Sequence, residues 1–335
     1  MSAFQAQNLG AGVLSVLSLL AGCHSSPSFS DVTTERAVTA AGEVSAPQLR
    51  SHIEALLKER QKEEPVASMF WGGMPLRRHN AASYIDSYLT GLGLTPVHER
   101  ERQNEIDTEN IYVDLPSSST SAHATDLVLI TGHYDNWHLG ADDNASAVAV
   151  LLETAQILRK KNLSRTVRII AFDREEEGLI GSDRYANRHA GDHLTAMINM
   201  DCVGYSSSKP GSQSAPPGLA LRDVGDFLGI LASAPGAGIL SSVTKLSRTL
   251  PSPVGVLGLI APANGHDAAA AAFLRSDHAP FWRQGVPVLF LTDTANFRNP
   301  HYHRSTDLPE TLDYDFLARN AALVVAATVA LAEEG

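Results

Sequence analysis

Apolar residues recur at helical spacing through Leu49, Ile53, Leu56 and Leu57, which predicts an amphipathic helix over 46–61. A second helix is predicted from Asn80 to about Leu92, closing on Gly91 and Gly93 in a C-cap-like pattern. Thr95–Glu101 and Asn110–Leu115 alternate and read as strands, and 117–124 reads as a Ser-rich loop. From Leu127 onward the order strand, loop, helix repeats. Leu127–Thr131, Val167–Phe172, Ala196–Met200 and Val286–Thr292 are short apolar strands. Ala145–Lys160 is a helix whose Val148, Leu151, Leu152, Ala155 and Leu158 make it apolar over much of its circumference, hence buried. Ser182–His189 is a shorter helix, and Asp313–Glu334 a long Ala/Leu/Val-rich one with Asp313 as N-cap. This alternation predicts one α/β domain, a mixed and mostly parallel sheet with helices on both faces. The Ser-, Gly- and Pro-rich stretch 205–218 reads as a surface excursion.

An apolar fraction of 44% supports a sizeable core, and a net charge of −11 without a basic cluster argues against a nucleic-acid partner. No partner protein is predicted. The apolar run 11–21 is too short to span a bilayer comfortably. It ends in Leu20-Ala21-Gly22-Cys23, which resembles a bacterial lipobox. The expected organisation is a lipoprotein-type signal peptide over 1–22, a tether over 23–44 and a folded domain over 45–335. Positions 1–10 carry no Lys or Arg, a departure from the usual basic start of a signal peptide. The expected location is the periplasmic side of a bacterial membrane, lipid-anchored at Cys23, or otherwise periplasmic or secreted. Acylated Cys23 leaves Cys202 without a disulfide partner, expected to lie buried beside the site.

Acids and histidines fall just after the strand-like runs: His133 and Asp135, Asp142-Asp143-Asn144, Glu175-Glu176-Glu177, Asp201, and His303 in His-Tyr-His. In an open α/β sheet the loops beyond the carboxyl ends of the strands converge on one crevice. Carboxylates and imidazoles gathered there suit a divalent metal. Two divalent ions bring four positive charges. Three carboxylates and a bridging hydroxide balance them, and two neutral imidazoles complete the shells. Charge and position alone do not rank neighbouring acids. Asp142-Asp143-Asn144 also reads as a helix N-cap cluster, Trp137 as packing, and His138 and His278 as supporting or structural residues.

The segments Gly132–Ser146, Phe172–Ser182, Asn199–Asp201, Ser276–Phe281 and Tyr302-His303 resemble the co-catalytic zinc aminopeptidases and glutamate carboxypeptidases, metallopeptidase family twenty-eight. They occur in the family's order across roughly 126–320. The resemblance implies a zinc-aminopeptidase, phosphorylase/hydrolase-like fold, with Asp143 bridging two Zn²⁺ ions. It implies that His133 and Asp201 hold one ion and Glu176 and His303 the other. Cobalt or manganese would also suit such a shell. Asp135 would orient His133 from behind, and Asp277 is a weaker candidate for the same kind of support. Glu175 matches the family's general base and Tyr302 its donor to the oxyanion.

The activity this implies is that of an exported zinc exopeptidase, an aminopeptidase acting on peptides with a free N-terminus. The competing readings are a single-zinc acyltransferase like glutaminyl cyclase, a dipeptidase or carboxypeptidase in which Arg298 binds a carboxylate, and a non-catalytic binding relative. Ser206–Gly218 and Asn296–Pro300 are candidates to shape the substrate pocket.

Overall fold

The computed structural model describes residues 28–68, 75–120, 122–216, 219–261 and 273–333. The expected signal peptide and Cys23 lie outside the described residues. The chain begins with α1 (Asp31–Ala41) and α2 (Ala46–Gln61), a two-residue antiparallel pair β1 (Val66–Ala67) and β2 (Pro75–Leu76), and α3 (His79–Gly91). There follow β3 (Val97–Gln103), β4 (Ile106–Leu115), β5 (Leu127–His133), α4 (Ala147–Leu158), β6 (Thr166–Phe172), α5 (Ile180–Arg188) and β7 (Leu194–Met200). The last third holds β8 (Leu228–Ala232), α6 (Ala237–Ser247), β9 (Val256–Ile260), α7 (His278–Arg283), β10 (Val288–Thr292) and α8 (Tyr314–Glu333).

Among the described residues, eight strands form one sheet in the order β3-β4-β6-β5-β7-β10-β8-β9. Its centre, β6-β5-β7-β10, is parallel throughout, and β9 runs parallel to β8. The pairs β3–β4, β4–β6 and β10–β8 are antiparallel. The sheet is therefore mixed, as the sequence pattern predicts. Successive side chains point to opposite faces of a strand, and here each face meets its own core. Val128 and Ile130 of β5 join Val167 and Ile169 of β6 in the larger core, with α2, α4 and α8. Leu129, Ile170 and Phe172 face the smaller one, with Tyr185 of α5 and Phe281 of α7. Helix α8 is long and apolar enough to cross a membrane, but most of it is buried in the larger core.

The predicted helix over 46–61 coincides with α2, and the other predicted elements appear within a few residues of their expected ends. Gly93, at φ +80°, closes α3 as a left-handed cap residue. Asp313 caps α8, its Oδ1 accepting from the Phe316 N–H at 2.9 Å.

The tether expected over 23–44 is corrected. From Ser30 onward it is folded structure, with Ser30 Oγ accepting from the Thr33 N–H at 3.1 Å to cap α1. Ala37, Ala40 and Ala41 of α1 pack in the larger core beside α8. Strands β8 and β9, helices α6 and α7, and α1 lie where the pattern predicts no element.

The docking of α1 is testable. Ala37 is completely buried, so Ala37→Asp places an uncompensated charge between α1 and α8. Urea unfolding should show a loss of about 3 kcal/mol or more; a mere tether would tolerate the change without effect.

Candidate metal centre

His133 is the last residue of β5, Glu175 and Glu176 follow β6, and Asp201 follows β7 directly. His303 comes from the loop between β10 and α8. These ends converge around Asp143, which lies in the wide turn Ala141–Ser146 before α4. Asp143 Oδ1 is 3.4 Å from His133 Nε2, and its Oδ2 is 3.1 Å from His303 Nε2. His133 Nε2 is also 3.8 Å from Asp201 Oδ2 and 3.9 Å from Glu175 Oε2. His303 Nε2 lies 3.2 Å from Glu176 Oε2. Two triads result, His133–Asp143–Asp201 and Asp143–Glu176–His303, each with its ligand atoms within 4.8 Å of one another. They share Asp143.

The donors fit divalent ions. The backbone carbonyl of Asp135 lies 3.1 Å from His133 Nδ1, and a carbonyl can only accept, so Nδ1 carries the hydrogen. That leaves the lone pair of Nε2 facing the carboxylates, and this buried atom has no hydrogen-bond partner among the described residues. A metal ion satisfies such an arrangement, since it accepts the lone pair and neutralises the carboxylates together. Burial disfavours a charged His133, yet Glu175, Asp135, Asp143 and Asp201 together drive its protonation well above the ordinary imidazole range. His303 behaves likewise: burial opposes the charge, but Asp143 and Glu176 raise it to about 10. Burial raises Glu176 to about 8, with Asp143 adding to the effect. Against burial, the two imidazoles hold Asp143 well below the usual carboxylate range.

Asp135 supports the site differently from the expectation. Its carboxylate stands 3.6 Å from His133 Nδ1, too far for a hydrogen bond, and the carbonyl takes that role. The carboxylate instead accepts the backbone N–H groups of Glu175 at 3.1 Å and Glu176 at 3.2 Å. One residue thus sets the tautomer of His133 and positions both glutamates.

The turn around Asp143 is not a capping cluster. Ser146 stands at the N-cap of α4, while Asp143 and Asn144 have non-helical backbone. Asp142 points away from both triads, its carboxylate accepting from Gly204 N–H at 2.8 Å and Asn299 Nδ2 at 2.7 Å. Asn144 spans to the β7 end, donating to Met200 O and accepting from the Cys202 N–H. Asp307 accepts the backbone N–H groups of Asp142 and Asp143 at 3.0 and 3.1 Å. Arg60, wholly buried on α2, donates to the carbonyls of Tyr134, Leu139 and Gly140 and so clamps the loop between His133 and Asp143. Sequence reasoning missed Arg60 and Asp307. A basic residue in the last turn of a helix reads as an ordinary dipole partner, and an acid in an irregular loop carries no pattern of its own.

The remaining predicted residues separate clearly. Tyr302 stacks on the His303 ring, centroids 3.9 Å apart, and its hydroxyl oxygen lies 3.5 Å from Arg275 Nη2. Burial first, then Asp143, Cys202 and the neighbouring acids, push its ionisation far up, so it stays a neutral donor. Asp277 is fully buried, and burial raises it to about 7 against the pull of His133. His278 bonds the Phe273 carbonyl and stacks on Phe290, while His301 bonds Thr306 and belongs to neither triad. Glu177 pairs with Arg174. Trp137 is buried, and with His138 it lines a small recess beside Asp143, Glu176 and His303. Cys202 is buried, its Sγ 3.3 Å from Asp201 Oδ1. Arg298 is buried too, bonded to Gln213 and lying over the Phe227 ring, so it does not present a carboxylate site.

A family model described as "Peptidase family M28" matches residues 110–328. Among curated relatives, the uncharacterized protein YfbL of Escherichia coli is 31% identical over 58% of this chain and 63% of its own length. Aminopeptidase YwaD of Bacillus subtilis is 29% identical over 60% of this chain and 40% of its length. The chain thus spans less than two thirds of these relatives. Among solved structures, the Legionella pneumophila LapA aminopeptidase superposes with a TM-score of 0.64 at 14% identity, covering 100% of this chain and 81% of that one. The Porphyromonas gingivalis glutaminyl cyclase gives 0.59 at 16% identity, covering 85% and 98%. At such identities these likenesses establish the shared fold.

Zinc binding is testable in two ways. Asp135→Ala should weaken it about 10- to 100-fold in a chelator competition; unchanged affinity would remove Asp135 from the support of the site. Because His303 and Glu176 are raised to about 10 and about 8 without an ion, zinc must displace their protons. Affinity should therefore rise with pH through neutrality and fall on acidification. Calorimetry in buffers of different ionisation enthalpy reads the released protons, and the absence of proton release would contradict this.

Proposed function

The chain belongs to peptidase family M28, and from that premise we propose that it is an exported zinc exopeptidase that removes amino-terminal residues from peptides. The observation that carries the reading is the pair of ligand triads sharing Asp143, which suits two ions. Zinc, when bound, polarises the scissile carbonyl and acidifies water. The chain's own residues do the rest.

Glu175 lies beside the triads, its Oε2 3.9 Å from His133 Nε2 and its backbone tied to Asp135. It takes a proton from the attacking water and delivers it to the departing amine, so one water and one amide become a carboxylate and an ammonium group. Burial raises its proton affinity well above that of an exposed glutamate, with Asp201, Asp277 and Glu176 adding to the effect and His133 opposing it. Arg275 can only donate to the Tyr302 oxygen, so the phenolic hydrogen is free to donate to the oxyanion of the tetrahedral intermediate. The acids around the centre favour a substrate with a free α-ammonium group, which supports aminopeptidase over carboxypeptidase action. Arg298 is buried over the Phe227 ring and does not support the carboxypeptidase reading. The run 11–21 ending in Leu-Ala-Gly-Cys23 supports export and a lipid anchor.

The second reading, a single-zinc acyltransferase, shares the fold and needs only one triad. Zinc stoichiometry and product analysis separate the two. Hydrolysis of a leucyl anilide with two zinc ions per chain supports the peptidase. Pyroglutamyl product from a glutaminyl peptide with one zinc supports the transferase.

Glu175→Gln should retain its zinc and lose turnover by at least about 10²-fold; wild-type activity would falsify its role as the base. His303→Ala should lose one of the two ions together with activity. Full metal content in that variant would exclude His303 from the shell.

A further inference from the structure

The turn that carries both glutamates leaves β6 and passes the start of β4, whose antiparallel pairing with β6 ends at Ile111 and Ala171. Arg174, directly before Glu175, stands in the left-handed region at φ +55°. Glycine adopts that backbone freely, whereas a Cβ disfavours it. The arginine is held there by its own guanidinium. Nε donates to the Asp107 carbonyl oxygen at 2.6 Å, Nη2 to Asp107 Oδ1 at 3.0 Å, and Nη1 to Glu177 Oε2. Three nitrogens of one buried group thus join the first residues of β4 to the turn. Arg78, also buried, ties the same Asp107 to Asp173, the residue before Arg174. Glu175 needs such support. Among the described residues no hydrogen bond is found on its carboxylate, and His133 Nε2 stands 3.9 Å away. Its aim therefore rests on its backbone. The N–H is gripped by the Asp135 carboxylate, and the carbonyl accepts from Gly178 and Leu179, both at 2.9 Å.

Resting on the peptidase reading above, we propose that Arg174 is a positioning residue for Glu175. Its guanidinium, shared between Asp107 and Glu177, fixes the left-handed bend from which the base reaches the attacking water. Arg174 itself belongs to neither ligand triad. Lysine could not replace it, because a single ammonium cannot span three acceptors that the planar fork meets together. Without the clamp the backbone before Glu175 regains freedom, and a base displaced by about 1 Å costs on the order of 10²-fold in rate. Glu176 keeps its place, held by the Asp135 carboxylate at its N–H.

The test uses the zinc-loaded full chain and Arg174→Gly, since glycine accepts the bend while the guanidinium is lost. With the aminoacyl anilide that the wild type hydrolyses fastest, kcat should fall about 10- to 100-fold and KM should stay within about threefold. Zinc content should match the wild type. Millimolar guanidinium ion, far below denaturing levels, should refill the gap and restore part of the lost kcat. In the Glu175→Gln background the same change should cost nothing more, because the group it places is already gone. Asp107→Asn, at an exposed position, loosens the clamp from its other end and should give a smaller loss of kcat at constant KM. It carries the test if Arg174→Gly does not fold. Wild-type kcat in both variants, no rescue by guanidinium, or an equal further loss beside Glu175→Gln would overturn the proposal. A reading free of turnover separates the two claims. In crystals of the zinc-loaded protein, Arg174→Gly should move the Glu175 carboxylate by about 1 Å or more and leave Glu176 in place. That shift in a chain whose wild type hydrolyses no aminoacyl anilide would sink the peptidase reading and leave the placement standing. An active wild type beside an unmoved, fully active variant would do the reverse.

Discussion

Negative charge held out of water is the constraint around which this structure is built. Asp143, Glu176, Asp201 and Glu175 meet two imidazoles at a sheet end where all but Asp201 and His303 are buried. Unpaired carboxylates in such a place are costly unless cations or protons neutralise them. The upward pull on His133, His303, Glu176 and Glu175 expresses that cost. Divalent ions remove it by replacing those protons, which joins metal loading to the charge states of the two histidines and two glutamates.

Holding this cluster in place requires a rigid frame, and the chain supplies it mostly through backbone groups. Asp135 grips the two glutamates by their N–H groups, Asp307 grips Asp142 and Asp143 in the same way, and Arg60 gathers three carbonyls of the intervening loop. Asn144 and Ser146 sew the turn before α4 to the residues after β7. Close approach matters as well: a Cβ at Gly132 would lie 3.1 Å from both Ala147 Cβ and the Met200 carbonyl oxygen. The parallel centre of the sheet then delivers β5, β6 and β7 to one edge, where ligands gather in open α/β folds.

Much of this was legible in the sequence for a physical reason. Strands such as Val167–Phe172 are continuous apolar runs, and acids placed directly after them stand out against that background. The ligand-bearing segments were readable on that ground, and the resemblance ranked Asp143 above Asp142, the same residue that both triads share. Helix α1 was not readable, because its buried positions are mainly alanine and threonine, which leave little hydrophobic periodicity. Strands β8 and β9 are five residues each and interrupted by Gly229 and Gly258, too short and broken to declare themselves. Arg60 and Asp307 act on backbone groups 74 and 165 residues away, a separation that no local pattern records. The reach of Asp135 to Glu175 and Glu176 escaped for the same reason.

The far half of the sheet, with the loops that face it, is the part of the chain that sequence patterns described least. The central claim remains electrostatic, that two cations sit on either side of the Asp143 carboxylate. A crystal of the zinc-soaked protein, measured at the zinc absorption edge, tests it most directly. The account predicts two anomalous peaks about 3.5–4 Å apart, one toward His133 and Asp201 and the other toward Glu176 and His303. A single peak, or none beside Asp143, would contradict it.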